Sequence, residues 1–406
     1  MAEVSDAIWT IKGCLDWTVG YLERKGDEHP RVSAEWLLSA ALGVERIDLY
    51  MNYDRPLSLD ERATIREAVR RRGRGEPLQY VTGETSFRGH TICCEPGVLI
   101  PRPETELLTD MVLRYLDERI LGPWVPERER VELPWNEAVE AARQAEAEAA
   151  RTQTETEASE GSAAAAANGR AADAAHASSG DVFSGRVDGM AAAPSLTDDG
   201  AASSESTASA SEAPAEAPAV PHPDGTLHAQ ARVLEVGCGT GCISLSLALE
   251  RRGRVACVAT DIDEAPVNLA RRNRMRSGLD ERAVDIRQGD LVAPVRPEEY
   301  GAFDVLVSNP PYIPSSVVDQ LGAEVKDFEP RLALDGGTDG LDVYRRLVAA
   351  APHMLRPGGL FACELYEDAV HQAAALCSDA GMVNVRVIED LARHPRFVFA
   401  EMPAAI

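Results

Sequence analysis

Asn309-Pro310-Pro311-Tyr312 sets an amide, two prolines and a phenol directly after the apolar run Phe303-Asp304-Val305-Leu306-Val307-Ser308. A short, β-branched run stopped by proline reads as a buried strand. Proline supplies no N–H, so the carbonyls of this turn are free to face a ligand. The Asn309 side chain offers an acceptor oxygen and a donor NH2. Together, the Asn309 oxygen and the Pro310 carbonyl can hold both hydrogens of a planar NH2 group, with the Tyr312 ring stacked on its plane. Such an arrangement suits a reaction at an amide or exocyclic amine nitrogen. Taken alone, the tetrapeptide reads about equally well as a strand ending in a proline turn, so its neighbours decide.

About 70 residues earlier, Val233-Leu234-Glu235-Val236 runs into Gly237-Cys238-Gly239-Thr240-Gly241 and then into the helix-like Cys242 to Leu249. Alternate glycines permit a tight strand-to-helix turn and close approach of a ligand to the backbone. A second strand, Val255 to Thr260, ends at Asp261, which puts a carboxylate where it can accept from both ribose hydroxyls. The spacing is Gly-x-Gly-x-Gly and no Gly-Lys-Ser/Thr phosphate loop is present. A ligand with ribose, adenine and a positive charge but no phosphate therefore fits better than a dinucleotide, and S-adenosylmethionine is the expected cofactor. Gly289-Asp290, after the strand Val284 to Arg287, is a third expected contact near the adenine, with a simple Gly-Asp turn as the plainer reading.

These pieces need a scaffold. Strands near 233–236, 255–260, 284–287 and 303–308 alternate with helical segments, which implies a parallel, doubly wound α/β sheet. Leu360–Glu364, Val383–Glu389 and Phe397–Glu401 bring the strand number to about seven. Both motifs then fall at carboxyl ends of strands, where open α/β sheets bind ligands. Residues 1–76 read as a small helical domain. Within it, Ala34 to Leu42 stops at Gly43, and Leu59 to Arg72 ends in arginines that suit a solvated helix end. Residues 77–103 read as a β-hairpin connector, with Gln79 to Gly83, Thr85 to Gly89 and Thr91 to Cys94 as β-like runs. Residues 104–123 form the first helix of the catalytic part, opened by Pro101 and Pro103 ahead of acids. The sheet occupies 230–406.

The chain carries a formal charge of −25 over 406 residues. Residues 124–229 hold about half of it, with 19 acids against 6 bases, in a background of Ala, Ser, Glu, Gly and Pro. So few large apolar residues cannot offset the entropy of ordering, so this stretch reads as a disordered low-complexity insertion. The eight cysteines show no metal-ligand spacing, and none is expected to hold a metal. No run approaches a membrane span and the start lacks signal-peptide features, so a cytoplasmic location is expected.

Several segments together resemble the protein-(glutamine-N5) methyltransferases that modify peptide chain release factors, the PrmC/HemK family. They are Pro77-Leu78-Gln79-Tyr80-Val81-Thr82-Gly83, Ile100-Pro101-Arg102-Pro103-Glu104-Thr105-Glu106, the glycine turn, Asn309 to Tyr312, and Phe328-Glu329-Pro330-Arg331-Leu332-Ala333-Leu334. The resemblance covers about three quarters of the chain, nearly everything outside the insertion. It implies a Rossmann-like class I S-adenosylmethionine-dependent methyltransferase sheet of seven strands. Gly237, Cys238, Gly239, Thr240, Gly241, Asp261, Asp290, Leu291 and Asn309 would contact the cofactor. Asn309, Pro310, Pro311 and Tyr312 would hold the glutamine of a Gly-Gly-Gln motif in class I release factors, which the helical domain would engage. Three positions depart from the family pattern. Leu291 stands where an aromatic is common, Glu364-Leu365-Tyr366 replaces Glu-x-Gly, and Arg393 replaces a glycine.

Two other readings compete. A nucleic-acid amine methyltransferase would also hold a planar NH2, and flipped bases stack on aromatics. Against it, the chain outside the insertion is still negative by about 12, whereas nucleic-acid binders carry a basic footprint. A cofactor-binding scaffold without activity would tolerate an eroded motif, yet Asn309 to Tyr312 is intact.

Overall fold

A computed structural model describes residues 9–122 and 230–404. The region assigned to an acidic insertion lies outside the described residues. Seven strands form one sheet: β3 (Ala231–Val236), β4 (Val255–Asp261), β5 (Val284–Gln288), β6 (Phe303–Ser308), β7 (Leu355–Glu364), β8 (Val383–Glu389) and β9 (Pro395–Glu401). Their order is β5-β4-β3-β6-β7-β9-β8. The first five run parallel, while β9 is antiparallel to both neighbours. The expected parallel, doubly wound sheet of seven strands is present, with β9 inserted antiparallel between β7 and β8. Only five residues join β8 to β9, too few for the crossover that parallel pairing needs.

Strand order reverses between β3 and β6, the switch point where such sheets open a crevice. Val236 lies beside Ser308 and beside Thr260, Asp261 beside Gln288, and Ser308 beside Cys363. Five neighbouring strand ends therefore deliver Asp290, Asp261, Gly237, Asn309 and Glu364 along one edge. The strands are buried on both faces. Helices Pro103–Leu116, Cys242–Glu250 and Glu264–Arg276 cover one side, and Asp342–Met354 and Val370–Asp379 the other.

The N-terminal helices Ile11–Arg24, Pro30–Leu42, Arg46–Met51 and Leu59–Arg72 close around their own apolar core, including Leu15, Leu22, Leu37, Leu38 and Val69. Ser58 and Glu61 form a reciprocal capping box that starts the last of them. Its terminal arginines do more than meet solvent. Arg71 binds Glu76 and the Tyr80 carbonyl, and Arg72 pairs with Asp27 and with Glu324 at 2.9 Å.

The connector holds a correction too. Leu78–Thr82 is a short helix, not a β-like run. Pro77 caps it by accepting from Tyr80 and Val81, Gly83 ends it at φ 84°, and Leu78 and Val81 pack on the helical core. The hairpin is β1 (Glu84–Phe87) with β2 (His90–Cys93), turned by Arg88 and Gly89, both at positive φ. Arg88 then grips Glu250 with two bonds of 2.6 and 2.9 Å. The Asn273 side chain bonds both the N–H and the carbonyl of Cys93 and also the Thr240 carbonyl, tying the hairpin to the glycine turn.

Candidate active site

The glycine turn is held from beneath. Gly237 and Cys238 donate to the Thr260 carbonyl, and Gly239 donates to Asp261 Oδ2 at 2.9 Å. Gly237 and Gly239 sit at φ 73° and 54°, and a Cβ on either would enter open space. Gly241 differs: a Cβ there would press on Ala270 and Leu245, so its smallness serves helix packing. Asp261 Oδ1 accepts from the Asp263 N–H at 3.2 Å. Burial pushes the Asp261 carboxyl above its ordinary range, against the pull of these two donors.

Below the turn, Glu235 is fully enclosed and accepts from the Ser244 N–H at 3.0 Å. Burial lifts its carboxyl to about 8 from an ordinary 4.5. The folded state thus keeps a proton that the unfolded chain loses from about pH 4.5 upward. The associated stability is complete below 4.5 and is lost as pH rises through 8, by roughly 1.4 kcal/mol per unit. Glu235→Gln is expected to remove this slope. Between pH 5 and 8 the wild-type melting temperature should fall by several degrees more than the variant's, as read by calorimetry.

A cavity of about 190 Å³ opens over the strand ends. Gly237, Gly239, Asp261, Asp290, Asn309, Pro310 and Pro311 all border it, with apolar walls from Ile262, Leu291, Leu332 and Val343. Its one lining arginine, Arg346, is paired with Asp290 at 2.6 Å. Hydroxyl acceptors, apolar walls and a surplus of carboxylates suit a ligand with a sugar, a flat ring and a positive charge. Cys238 and Thr240 border a smaller adjoining cavity, shared with Glu235, Thr105 and Asn309.

The Asn-Pro-Pro-Tyr turn is fixed on three sides. Ser308 Oγ donates to the Val236 carbonyl at 2.7 Å, joining the two strand ends. Asn309 Nδ2 donates to Thr105 Oγ1 at 3.0 Å, which leaves its oxygen free. Among the described residues no donor engages the Pro310 carbonyl, so that acceptor and the Asn309 oxygen are both open. Tyr312 lies outside both cavities; its hydroxyl donates to Glu364 Oε1 at 3.0 Å. Beyond it, Ile313 exchanges backbone bonds with Leu334 and Gly336. Arg102 binds both oxygens of buried Glu329 at 2.7 Å, and Phe328 packs with Tyr80, Cys94 and Ile100. The Ile-Pro-Arg-Pro-Glu-Thr and Glu-Pro-Arg-Leu segments therefore form one brace around the turn.

Comparison with known proteins agrees with this architecture. Residues 14–83 match a PrmC N-terminal domain model and residues 222–324 a methyltransferase small domain model. Release factor glutamine methyltransferase of Geobacter sulfurreducens is 33% identical, over 88% of this chain and 84% of its own. The chain belongs to the release factor glutamine methyltransferase family. The relative from Chlorobaculum tepidum is 29% identical over 95% of each chain. A solved methyltransferase from Pyrococcus furiosus is 23% identical, covering 44% of this chain and 79% of its own, with a TM-score of 0.33.

Within this member of the family, the sequence-derived residues gather at one edge of the sheet, with Gly241 and Tyr312 set behind the cavity wall. Sequence reasoning missed Thr105 and Glu364 as parts of the site. Glu364 carried a signal: an acid closing the apolar strand Leu360-Phe361-Ala362-Cys363. Leu291, at φ 49°, borders the cavity.

Proposed function

We propose that this chain transfers the methyl group of S-adenosylmethionine to the side-chain amide nitrogen of the glutamine in the Gly-Gly-Gln motif of class I peptide chain release factors. The observation that carries the reading is Asn309. Its NH2 is committed to Thr105, so its oxygen and the free Pro310 carbonyl stand at the cavity where Gly237, Gly239 and Asp261 also converge.

When bound, S-adenosylmethionine supplies a methyl group on a positively charged sulfur that needs no further activation. The protein's task is the nucleophile, an amide nitrogen whose lone pair is delocalised into its carbonyl. Asn309 Oδ1 and the Pro310 carbonyl would hold its two hydrogens, orienting the nitrogen and adding electron density as these bonds tighten. Positioning of this kind can lower a barrier by several kcal/mol. One held hydrogen leaves to water once the nitrogen is methylated, so no side chain has to act as a base. Asp261 would take the ribose hydroxyls, Ile262, Leu291 and Val343 would enclose the adenine, and Asp290 with Arg346 would close its rim. Cys238, Thr240 and Gly241 complete the turn that receives the methionine end, and Tyr312 supports the amide site. Asp261→Ala is expected to weaken S-adenosylmethionine binding by about 10- to 100-fold in titration calorimetry, with the fold kept.

Residues 1–76 would dock the release factor, 77–103 would link that domain to the sheet, and 104–123 with 230–406 would form the catalytic domain. Among the described residues no helix is long and apolar enough to cross a membrane, and a cytoplasmic place beside the translation machinery follows from the substrate. Incubation with labelled S-adenosylmethionine and, separately, a release factor, RNA and DNA tests the function. Label on the release factor supports it, and label confined to nucleic acid overturns it in favour of amine methylation of a base.

A further inference from the structure

We propose that Thr105 and Glu364 form a positioning relay that fixes which end of the Asn309 amide faces the substrate. The inference rests on the function proposed above, since only an acceptor at that place can hold a substrate NH2. The two ends of a carboxamide have nearly the same shape, so packing alone does not decide which one points into a cavity. Hydrogen-bond direction does. Glu364 Oε2 accepts from Thr105 Oγ1 at 2.8 Å, and Oε1 accepts from Tyr312. A carboxylate only accepts, so the single hydrogen of Thr105 is committed to it and its lone pairs turn to Asn309. Asn309 must answer with its NH2, and its oxygen is left for the cavity. Thr105 and Glu364 are 2% and 1% exposed, so water does not substitute in this chain.

The relay reaches both ends of the Asn309–Tyr312 turn from one carboxylate. Thr105 lies in the first turn of the Pro103–Leu116 helix and Glu364 at the end of β7, next to β6. The charged groups around Glu364 are Glu104 on that helix and Arg396 on β9; Arg396 also pairs with Asp390 and Glu367. Burial lifts Glu364 to about 7, offset in part by its bonds to Thr105 and Tyr312. A protonated Glu364 would donate instead of accept. Thr105 could then turn its hydrogen to Asn309, and the amide would present its NH2 to the cavity.

Three measurements on the full chain test this. Thr105→Val is expected to lower kcat for glutamine methylation by roughly 10- to 100-fold, with S-adenosylmethionine affinity by calorimetry within about threefold. Thr105→Ser, which keeps the hydroxyl, should restore kcat to within about threefold. In the cofactor-free protein, the Asn309 side-chain amide should show a slowly exchanging NMR proton in wild type and Thr105→Ser, lost in Thr105→Val. Wild-type kcat should fall below about pH 7, and Tyr312→Phe should move that midpoint upward by removing a donor. Equal loss in the Val and Ser variants, an unchanged Thr105→Val enzyme, or a wild-type profile flat from pH 6 to 8 would overturn the relay. A wild-type protein that methylates no glutamine would overturn the functional reading instead, and the NMR comparison would still decide the relay.

Discussion

Asn309→Ala is expected to cut methyl transfer to a release factor by about 100- to 1,000-fold, the scale seen when a group aimed at the reacting centre is removed. S-adenosylmethionine binding should weaken by no more than about tenfold, because Gly237, Gly239 and Asp261 remain in place. The fold should persist as well, since Asn309 is only half buried and its replacement releases one hydrogen bond to Thr105. Single-turnover rates with calorimetric binding constants separate the two effects. Near-normal transfer by this variant would mean that the nitrogen is oriented by something other than Asn309.

Gly336→Ala should be nearly as damaging from outside the cavity. A Cβ there would sit 2.7 Å from the Gly340 carbonyl oxygen and 2.8 Å from the Pro311 oxygen and the Tyr312 Cα. All three are backbone atoms, so relief requires moving the turn itself. Overpacking of this kind costs about 1–3 kcal/mol of stability, and a displacement on the order of 1 Å at a reacting centre can cost about 100-fold in rate. Both losses are expected, with kcat reduced more than cofactor affinity. Gly322→Ala is the control. It has an ordinary φ of −55° and nothing within 4 Å of the added atom, so the rate should be unchanged and stability should fall by no more than about 1 kcal/mol from the changed helix N-cap.

How much of this was legible in the residues follows from the range of each signal. Asn309 and the glycine turn could be read because each chemical group directly follows an apolar strand, and strand ends are where such sheets bind ligands. Register then explains why Asp261, Gly237 and Asn309 converge. Thr105 and Glu364 were not legible as a pair, because 259 residues separate them and only the fold brings their side chains within 2.8 Å. The place of β9 was not legible for a similar reason: a short connection forbids a parallel crossover from β8 but does not reveal that β9 inserts between β7 and β8. Leu78–Thr82 was misread because Tyr, Val and Thr favour strands on average. There Pro77 and Gly83 bracket one helical turn whose apolar side is drawn into the N-terminal core.

Arg72 and Phe328 show what composition alone leaves out. Four arginines near a helix end read as a solvated terminus. Instead, Arg72 reaches Glu324, and Phe328, four residues further on, lies against Tyr80 and Ile100. The helical domain thus touches the segment that braces the Asn309–Tyr312 turn, a direct physical link between the proposed docking domain and the site.

Methylation of one amide nitrogen on a protein is read by tryptic mass spectrometry of a class I release factor incubated with the purified chain and S-adenosylmethionine, beside a release factor whose Gly-Gly-Gln is changed to Gly-Gly-Ala. The expected result is a single added methyl on that glutamine and none anywhere on the altered protein. A methyl at another residue, or equal modification of both proteins, would contradict it.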